Sequence, residues 1–202
     1  MGNIEKFDSI ANQYDTNDRI TTANLISDTI RTYIVDGTSK KAIDYGCGTG
    51  LIGLNLLDSF QSVLFMDAST NMIKQVQQKI ETSNIQNADT LCCDLMEEMP
   101  KNLHADYIIM TQVLLHIKDI EPMLLRLYNL LNDGGHLLIV DFDKNDAIHS
   151  SEVHNGFEQQ ELIYIVKQIG FTTAESKTFY HGSKLFMNQD ASLFILDAIK
   201  GR

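Results

Sequence analysis

The sequence predicts an α/β fold with an open, mostly parallel sheet. Three observations predict it: five short apolar runs of strand length, helical periodicities between them, and a glycine-rich turn directly after the first run. The runs are 42–46 (AIDYG), 62–67 (SVLFMD), 89–94 (DTLCCD), 106–112 (DYIIMTQ) and 136–142 (HLLIVDF). Such near-continuous apolar character reads as strands buried on both faces, as a parallel sheet covered by helices requires.

The elements follow in order. Residues 1–20 are polar, with Phe7, Ile10, Ala11 and Tyr14 at helical spacing, and read as an arm or lid ahead of one domain over 21–202. Leu25, Ile26, Thr29, Ile30, Tyr33 and Ile34 give the apolar face of a helix before the first strand. After the second strand, Ser69 is an N-cap candidate for a helix whose Met72, Ile73, Val76 and Ile80 share a face. Pro122 sits in the first turn of a helix striped by Met123, Leu124, Leu127, Leu130 and Leu131, with Gly134-Gly135 ending it. A further helix runs over 159–169, with Leu162, Ile163, Val166 and Ile169 inward and Gly170 as its stop. The runs 171–180 and 192–199 have no helix between them, so they are expected to form an antiparallel hairpin at one edge of the sheet.

Composition narrows the function. At 202 residues the chain fits one domain. Sixteen Lys and Arg stand against 27 Asp and Glu, a formal charge of −11, and a protein this acidic repels nucleic-acid backbones and anionic lipid surfaces. No apolar run approaches the ~18 residues that span a bilayer. The first residues lack a basic region followed by an apolar core, and Lys6 stands where a myristoylation signal has Ser or Thr. Cys47, Cys92 and Cys93 are too few and too close for a disulfide framework and read as reduced thiols of a cytoplasmic protein. Cys92 and Cys93 are expected in strand core and pocket wall. No cluster has metal-ligand spacing.

The chemistry concentrates after the first two strands. In Asp44-Tyr45-Gly46-Cys47-Gly48-Thr49-Gly50, the glycines permit a sharp turn at a strand's carboxyl end and let a ligand approach the backbone. Asp67, 21 residues after Gly46 and at the end of the second strand, is placed to accept from both ribose hydroxyls of an adenosine. Gly48, Gly50 and Gly53 also satisfy the dinucleotide pattern G-x-G-x-x-G, which keeps an NAD-type oxidoreductase in view. Asp44 argues against it, because a negative charge there would repel a pyrophosphate and attract an amino group.

These residues resemble motif I of class I S-adenosylmethionine (SAM)-dependent methyltransferases, written D-x-G-C-G-T-G. Asp67 with Met72 is similar to the family's D-x-S-x-x-M, and Asp94 to its adenine-binding acid after strand 3. The segment from Met110 to His116 resembles the motif after strand 4, and Leu131 to Leu137 resembles the L-x-P-G-G-x-L turn with Asp133 in place of proline. Phe7-Asp8-x-x-Ala11-x-x-Tyr14-Asp15 looks like the opening of the ubiquinone and menaquinone methyltransferase group. The resemblance implies a Rossmann-like, seven-stranded three-layer sandwich with strand 7 antiparallel. It also implies SAM as cofactor, S-adenosylhomocysteine as product and a small-molecule acceptor. Cofactor-binding residues would be Asp44, Gly46, Cys47, Gly48, Gly50, Asp67, Ala68, Met72, Cys93, Asp94, Leu95, Thr111 and Gln112. His116, as a general base of near-neutral pKa, and Tyr14, over the sulfonium, would be catalytic. His149 and His154 in the loop after strand 5 are further candidates at the substrate mouth. The specificity surface is expected from the arm, 142–157 and 181–190, including Phe186 and Met187. A SAM-binding sensor without turnover is the alternative, and a homodimer stays open.

Overall fold

In a computed structural model, which describes residues 4–202, the seven strands form one sheet in the order β3-β2-β1-β4-β5-β7-β6. Strands β1 (Lys41–Tyr45), β2 (Ser62–Asp67), β3 (Ala88–Cys92), β4 (Ala105–Thr111) and β5 (Leu131–Phe142) pair in parallel. Strand β7 (Gln189–Lys200) lies antiparallel between β5 and β6 (Phe171–Phe186), so strand 7 alone runs against the rest. The expected sheet is therefore present. Helices α1 (Ile4–Ile10), α2 (Asn17–Arg31), α3 (Leu51–Asn55), α4 (Thr70–Thr82), α5 (Ile120–Leu130) and α6 (Gln159–Ile169) flank it in a Rossmann-like arrangement.

Burial follows the residues. Ile108, Ile109 and Met110 of β4 and the run Leu137 to Val140 of β5 are fully buried, as central strands covered on both faces must be. Strand β3 departs from that reading: it is an edge strand, its residues are half-buried or exposed and none is fully buried, and Cys92 is exposed rather than core. Ser69 caps α4 as its position foretells, its Oγ accepting from Met72 N at 3.1 Å. Gly170 ends α6 at φ +130°.

Three boundaries differ from the sequence reading. Helix α2 starts at Asn17 with Thr16 as N-cap, so it already occupies the end of the stretch expected to be arm. Helix α5 ends at Leu130, and Gly134-Gly135 falls within β5, where the register with β4 jumps between Leu131 and His136. A glycine pair inside a strand serves a bulge as readily as a helix stop. The hairpin is much longer than expected: β6 and β7 extend through 181–190 to a two-residue turn, Met187-Asn188, with φ of +50° and +61°. Two consecutive positive φ values match the strand twist of a tight hairpin, a geometry usually signalled by Asn-Gly and here built without glycine.

Strand order reverses between β1 and β4. The chain winds outward through β2 and β3, then returns to the other side of β1, and such a reversal leaves a crevice at the carboxyl ends of the two strands.

Candidate active site

The crevice is floored by the glycine loop. Gly46 (φ +68°) and Gly48 (φ +53°) adopt left-handed backbone, and the Gly46 and Cys47 amides donate to Met66 O at 2.8 and 3.1 Å, tying the loop to the end of β2. From that end Asp67 reaches back: its Oδ2 accepts from Gly48 N at 2.9 Å and its Oδ1 from Ser69 N at 2.8 Å. Burial raises its carboxyl above the usual range, and the amide donors oppose that shift. Cys93 N donates to Asp67 O at 2.9 Å, which sets Asp94 one strand over, and Asp94 Oδ1 accepts from Met96 N at 2.8 Å.

A cavity of about 600 Å³ opens above these groups, lined by Gly46, Gly48, Asp67, Ala68, Met72, Asp94, Thr111, Gln112, Tyr14 and His116. Ten of the residues expected to serve the site thus share one chamber. Gln112 holds φ +54° as β4 ends, with its amide donating to Val140 O at 2.7 Å; non-glycine left-handed backbone of this kind gathers at functional sites. Its strain turns the chain into the short helical turn Leu114–His116.

The arm roofs the chamber. Ile4, Phe7 and Tyr14 line it, and the rings of Phe7 and His116 meet edge to face at 5.1 Å. Arg19 lies 4.1 Å over the Tyr14 ring and donates from Nη1 to Tyr14 O at 2.9 Å. Asp8 fastens the arm to the start of α4: its Oδ1 accepts from Ser69 Oγ at 2.7 Å and Asn71 N at 2.9 Å, and its Oδ2 from Asn71 Nδ2 at 2.7 Å. These donors hold the Asp8 carboxyl below its usual pKa. Farther along, Asp15 pairs with Lys79 at 2.7 Å and accepts from the Thr49 hydroxyl.

Several expectations are corrected. Asp44 does not reach the chamber: it is fully buried behind the glycine loop, its Oδ2 accepting from Gly53 N at 3.0 Å, and its Oδ1 has no hydrogen-bond partner among the described residues. Burial pushes its carboxyl up to about 7. A Cβ on Gly53 would lie 2.6 Å from that carboxylate, so the glycine's value is close packing rather than phosphate approach. His116 lines the chamber, but burial, with Lys6 nearby, lowers its pKa to about 4, not the near-neutral value expected; its Nδ1 has no partner among the described residues. Leu95 is core, Gly50 lies beneath the loop, and Cys93 turns its thiol to Glu98 O, so none of the three is in the wall. Cys47 is buried with its thiol pKa raised by desolvation, leaving its backbone as the useful part.

The loop after β5 also stays out. His154 donates from Nε2 to Ile117 O at 2.8 Å and packs on Phe157, while His149 is exposed. Phe186 is buried, stacked 4.3 Å from Phe142, and only Met187 of the expected pair is exposed. In place of 142–157, wall residues come from Val113, within the segment after β4, and from Ile117 and Met123, which no motif marks. Asp141 also escaped the sequence reading, although an acid inside the run LLIVDF was its signal. Fully buried, it accepts from Leu115 N at 3.1 Å and Phe142 N at 2.9 Å and underpins the turn that carries His116. Among the described residues no group of three His, Cys, Asp or Glu is arranged to hold a metal, and no helix is long and apolar enough to cross a membrane.

Comparison with known proteins agrees with this geometry. A family described as "Methyltransferase domain" matches residues 43–137. An uncharacterized methyltransferase of Schizosaccharomyces pombe is 26% identical over 152 residues, 66% of this chain and 54% of that protein. Thus the chain spans about half the length of that curated relative. Among solved structures, phosphoethanolamine N-methyltransferase 2 of Haemonchus contortus, in complex with phosphomonomethylethanolamine and S-adenosylhomocysteine, superposes with a TM-score of 0.71 at 16% identity, covering 86% of this chain and 53% of that one. A SAM-dependent methyltransferase of Aquifex aeolicus gives 0.70 at 16% identity over 95% and 97% of the two chains.

Proposed function

We propose that the chain is a SAM-dependent methyltransferase that binds SAM in the crevice and passes the methyl to a small-molecule acceptor; the family match over residues 43–137 and the fold shared with a SAM-dependent methyltransferase of Aquifex aeolicus support that reading. The observation that carries the reading is the convergence of Asp67, Asp94 and the glycine loop on one chamber. The residues fit the cofactor. An ionised carboxylate offers about four acceptor positions, and Asp67 gives one from each oxygen to the backbone, leaving room for two ribose hydroxyls. Ala68 and Met72 provide an apolar surface for the adenine, and Asp94 an acceptor for its amino group.

When bound, SAM supplies a methyl on a positively charged sulfur: the acceptor's lone pair forms the new bond to carbon as the carbon–sulfur bond breaks and sulfur keeps the electron pair. Asp67 and Asp94 fix the adenosine, and the glycine loop and Gln112 flank the methionine portion. Tyr14 and Phe7 exclude water from above. Alignment of this kind is worth on the order of 7–11 kcal/mol in well-oriented systems. His116, neutral at physiological pH, lines the first chamber as an uncharged wall rather than as a strong base. That favours an acceptor already nucleophilic, or one whose proton leaves to water.

Calorimetry with SAM and S-adenosylhomocysteine tests the first step: binding at sub-millimolar concentration is expected, and no binding by either ends the proposal. Asp67→Asn, which keeps the shape, should weaken binding by about 1–3 kcal/mol; unchanged affinity would remove Asp67 from the ribose role.

A further inference from the structure

Beside the first chamber lies a second, of about 610 Å³, between α2, the glycine loop and the end of the β6–β7 hairpin. Tyr14, Gly46, Gly48, Thr111 and Gln112 belong to both. The two chambers therefore meet at the carboxyl ends of β1 and β4, where the reactive sulfur would lie with adenosine in the first. What enters the second chamber faces the methyl group.

Its charge is opposite to the molecule's. In a chain of net charge −11, the charged side chains lining this chamber are Arg19, Lys184 and Asp18, two cations against one acid. Among the described residues neither cation has a carboxylate within 4.0 Å. Arg19 uses Nη1 on Tyr14 O and rests on the Tyr14 ring, which holds it beside the junction with other N–H groups uncommitted. Lys184 is set by the hairpin: it holds φ +54°, and its amide donates to Asp190 Oδ1 at 2.9 Å, so the backbone under its side chain is fixed. Ile26, Ile52 and Leu185 supply apolar wall between the two. The cofactor brings one carboxylate and two positive centres, so it calls for at most one of these cations.

We propose that the second chamber is the acceptor site, and that Lys184 with Arg19 selects an acceptor carrying a carboxylate or a phosphate group. The proposal rests on the cofactor reading above. Shape-independent probes test it: the 15N-labelled chain, saturated with S-adenosylhomocysteine, is titrated with sodium phosphate and separately with sodium acetate, with sodium chloride at matched ionic strength as control. Saturable amide shifts confined to 18–22 and 183–185, absent with chloride and weakened at least about fivefold in Lys184→Gln, are expected. The anion that binds tighter identifies phosphate or carboxylate as the acceptor's group. Three outcomes overturn the proposal: no localised shift with either anion, shifts equal to those of chloride, or displacement of S-adenosylhomocysteine. Displacement would give the cations to the cofactor's own carboxylate. Amides of Gly48, Asp67 and Asp94 report the parent reading separately. If they do not move on adding S-adenosylhomocysteine, the cofactor reading falls and takes the acceptor assignment with it; a failed anion titration with them moved overturns the acceptor class alone.

Discussion

Asp44 and Asp141 both titrate near 7 in the fold against about 3.8 when exposed, because burial disfavours their charged forms. Between those values the folded chain keeps protons that the unfolded chain has released, so their contribution to stability falls as pH rises from about 4 to 7. His116 acts oppositely: with a folded pKa of about 4 against 6.5, it costs stability as pH falls through that interval. Urea unfolding at pH 5 and pH 7.5 should therefore show a smaller loss on raising pH in Asp44→Asn than in the parent, by about 1 kcal/mol or more. An identical pH dependence would mean that Asp44 is ionised throughout. The kinetic counterpart concerns His116. A general base typically contributes 10²- to 10⁴-fold, whereas a neutral wall contributes less, so His116→Asn should lower kcat less than about tenfold, with no limb near pH 6.5 lost from the profile. Sequence made the places of Asp67, Asp94 and Tyr14 at the chamber legible, because each follows from position at a strand end or on the arm. It could not show that Asp44 faces inward, since a strand residue's face depends on which neighbours cover it. Nor could it reveal the His116 pKa, which Phe7 and the closed arm determine from more than a hundred residues away in sequence.

At the scale of elements, the arm and α4 act together. Ser69 caps α4, accepts nothing from Asp8 but donates to it, and sits two residues after Asp67, so the latch and Asp67 share a single turn. Asp8→Ala removes three accepted hydrogen bonds at once. Hydrogen exchange over residues 4–14 should quicken by about tenfold while the central strands keep their protection, since local opening is independent of the global core. Unchanged exchange would show that Phe7 and Tyr14 packing alone holds the arm. Helices with local punctuation, Ser69 before α4 and Gly170 after α6, were readable to the residue. The hairpin itself was legible but its length was not, because 181–190 is mostly polar and exposed apart from Leu185 and Phe186: its pairing comes from β7, which is anchored on β5, rather than from its own composition. Arg19 and Lys184 stayed invisible for the same reason, being brought together by a helix start and a hairpin end that share no motif.

For the whole molecule, the surplus of acid is a self-repulsion that salt screens. Raising sodium chloride from 20 to 300 mM should raise Tm by a few degrees, read by scanning calorimetry; a fall would show that the Asp15–Lys79 and Arg31–Asp58 pairs outweigh it. The parallel half of the sheet was legible from alternation alone, and its reversal at β1 and β4 locates the crevice. The place of β7 has a different consequence, one of timing. Strands β5 and β6 are made before β7 on the ribosome, and while β5 can pair with β4 at once, β6 has no neighbour in the finished sheet but β7 and waits for it. One side of the second chamber's wall, Tyr180 and Ser183 to Leu185, hangs on that delayed pairing. During synthesis the nascent chain can thus form the first chamber, whose lining ends at Met123, while one side of the second is still unformed; under the proposed function, a chain halted before residue 189 would be expected to bind SAM without a complete acceptor site.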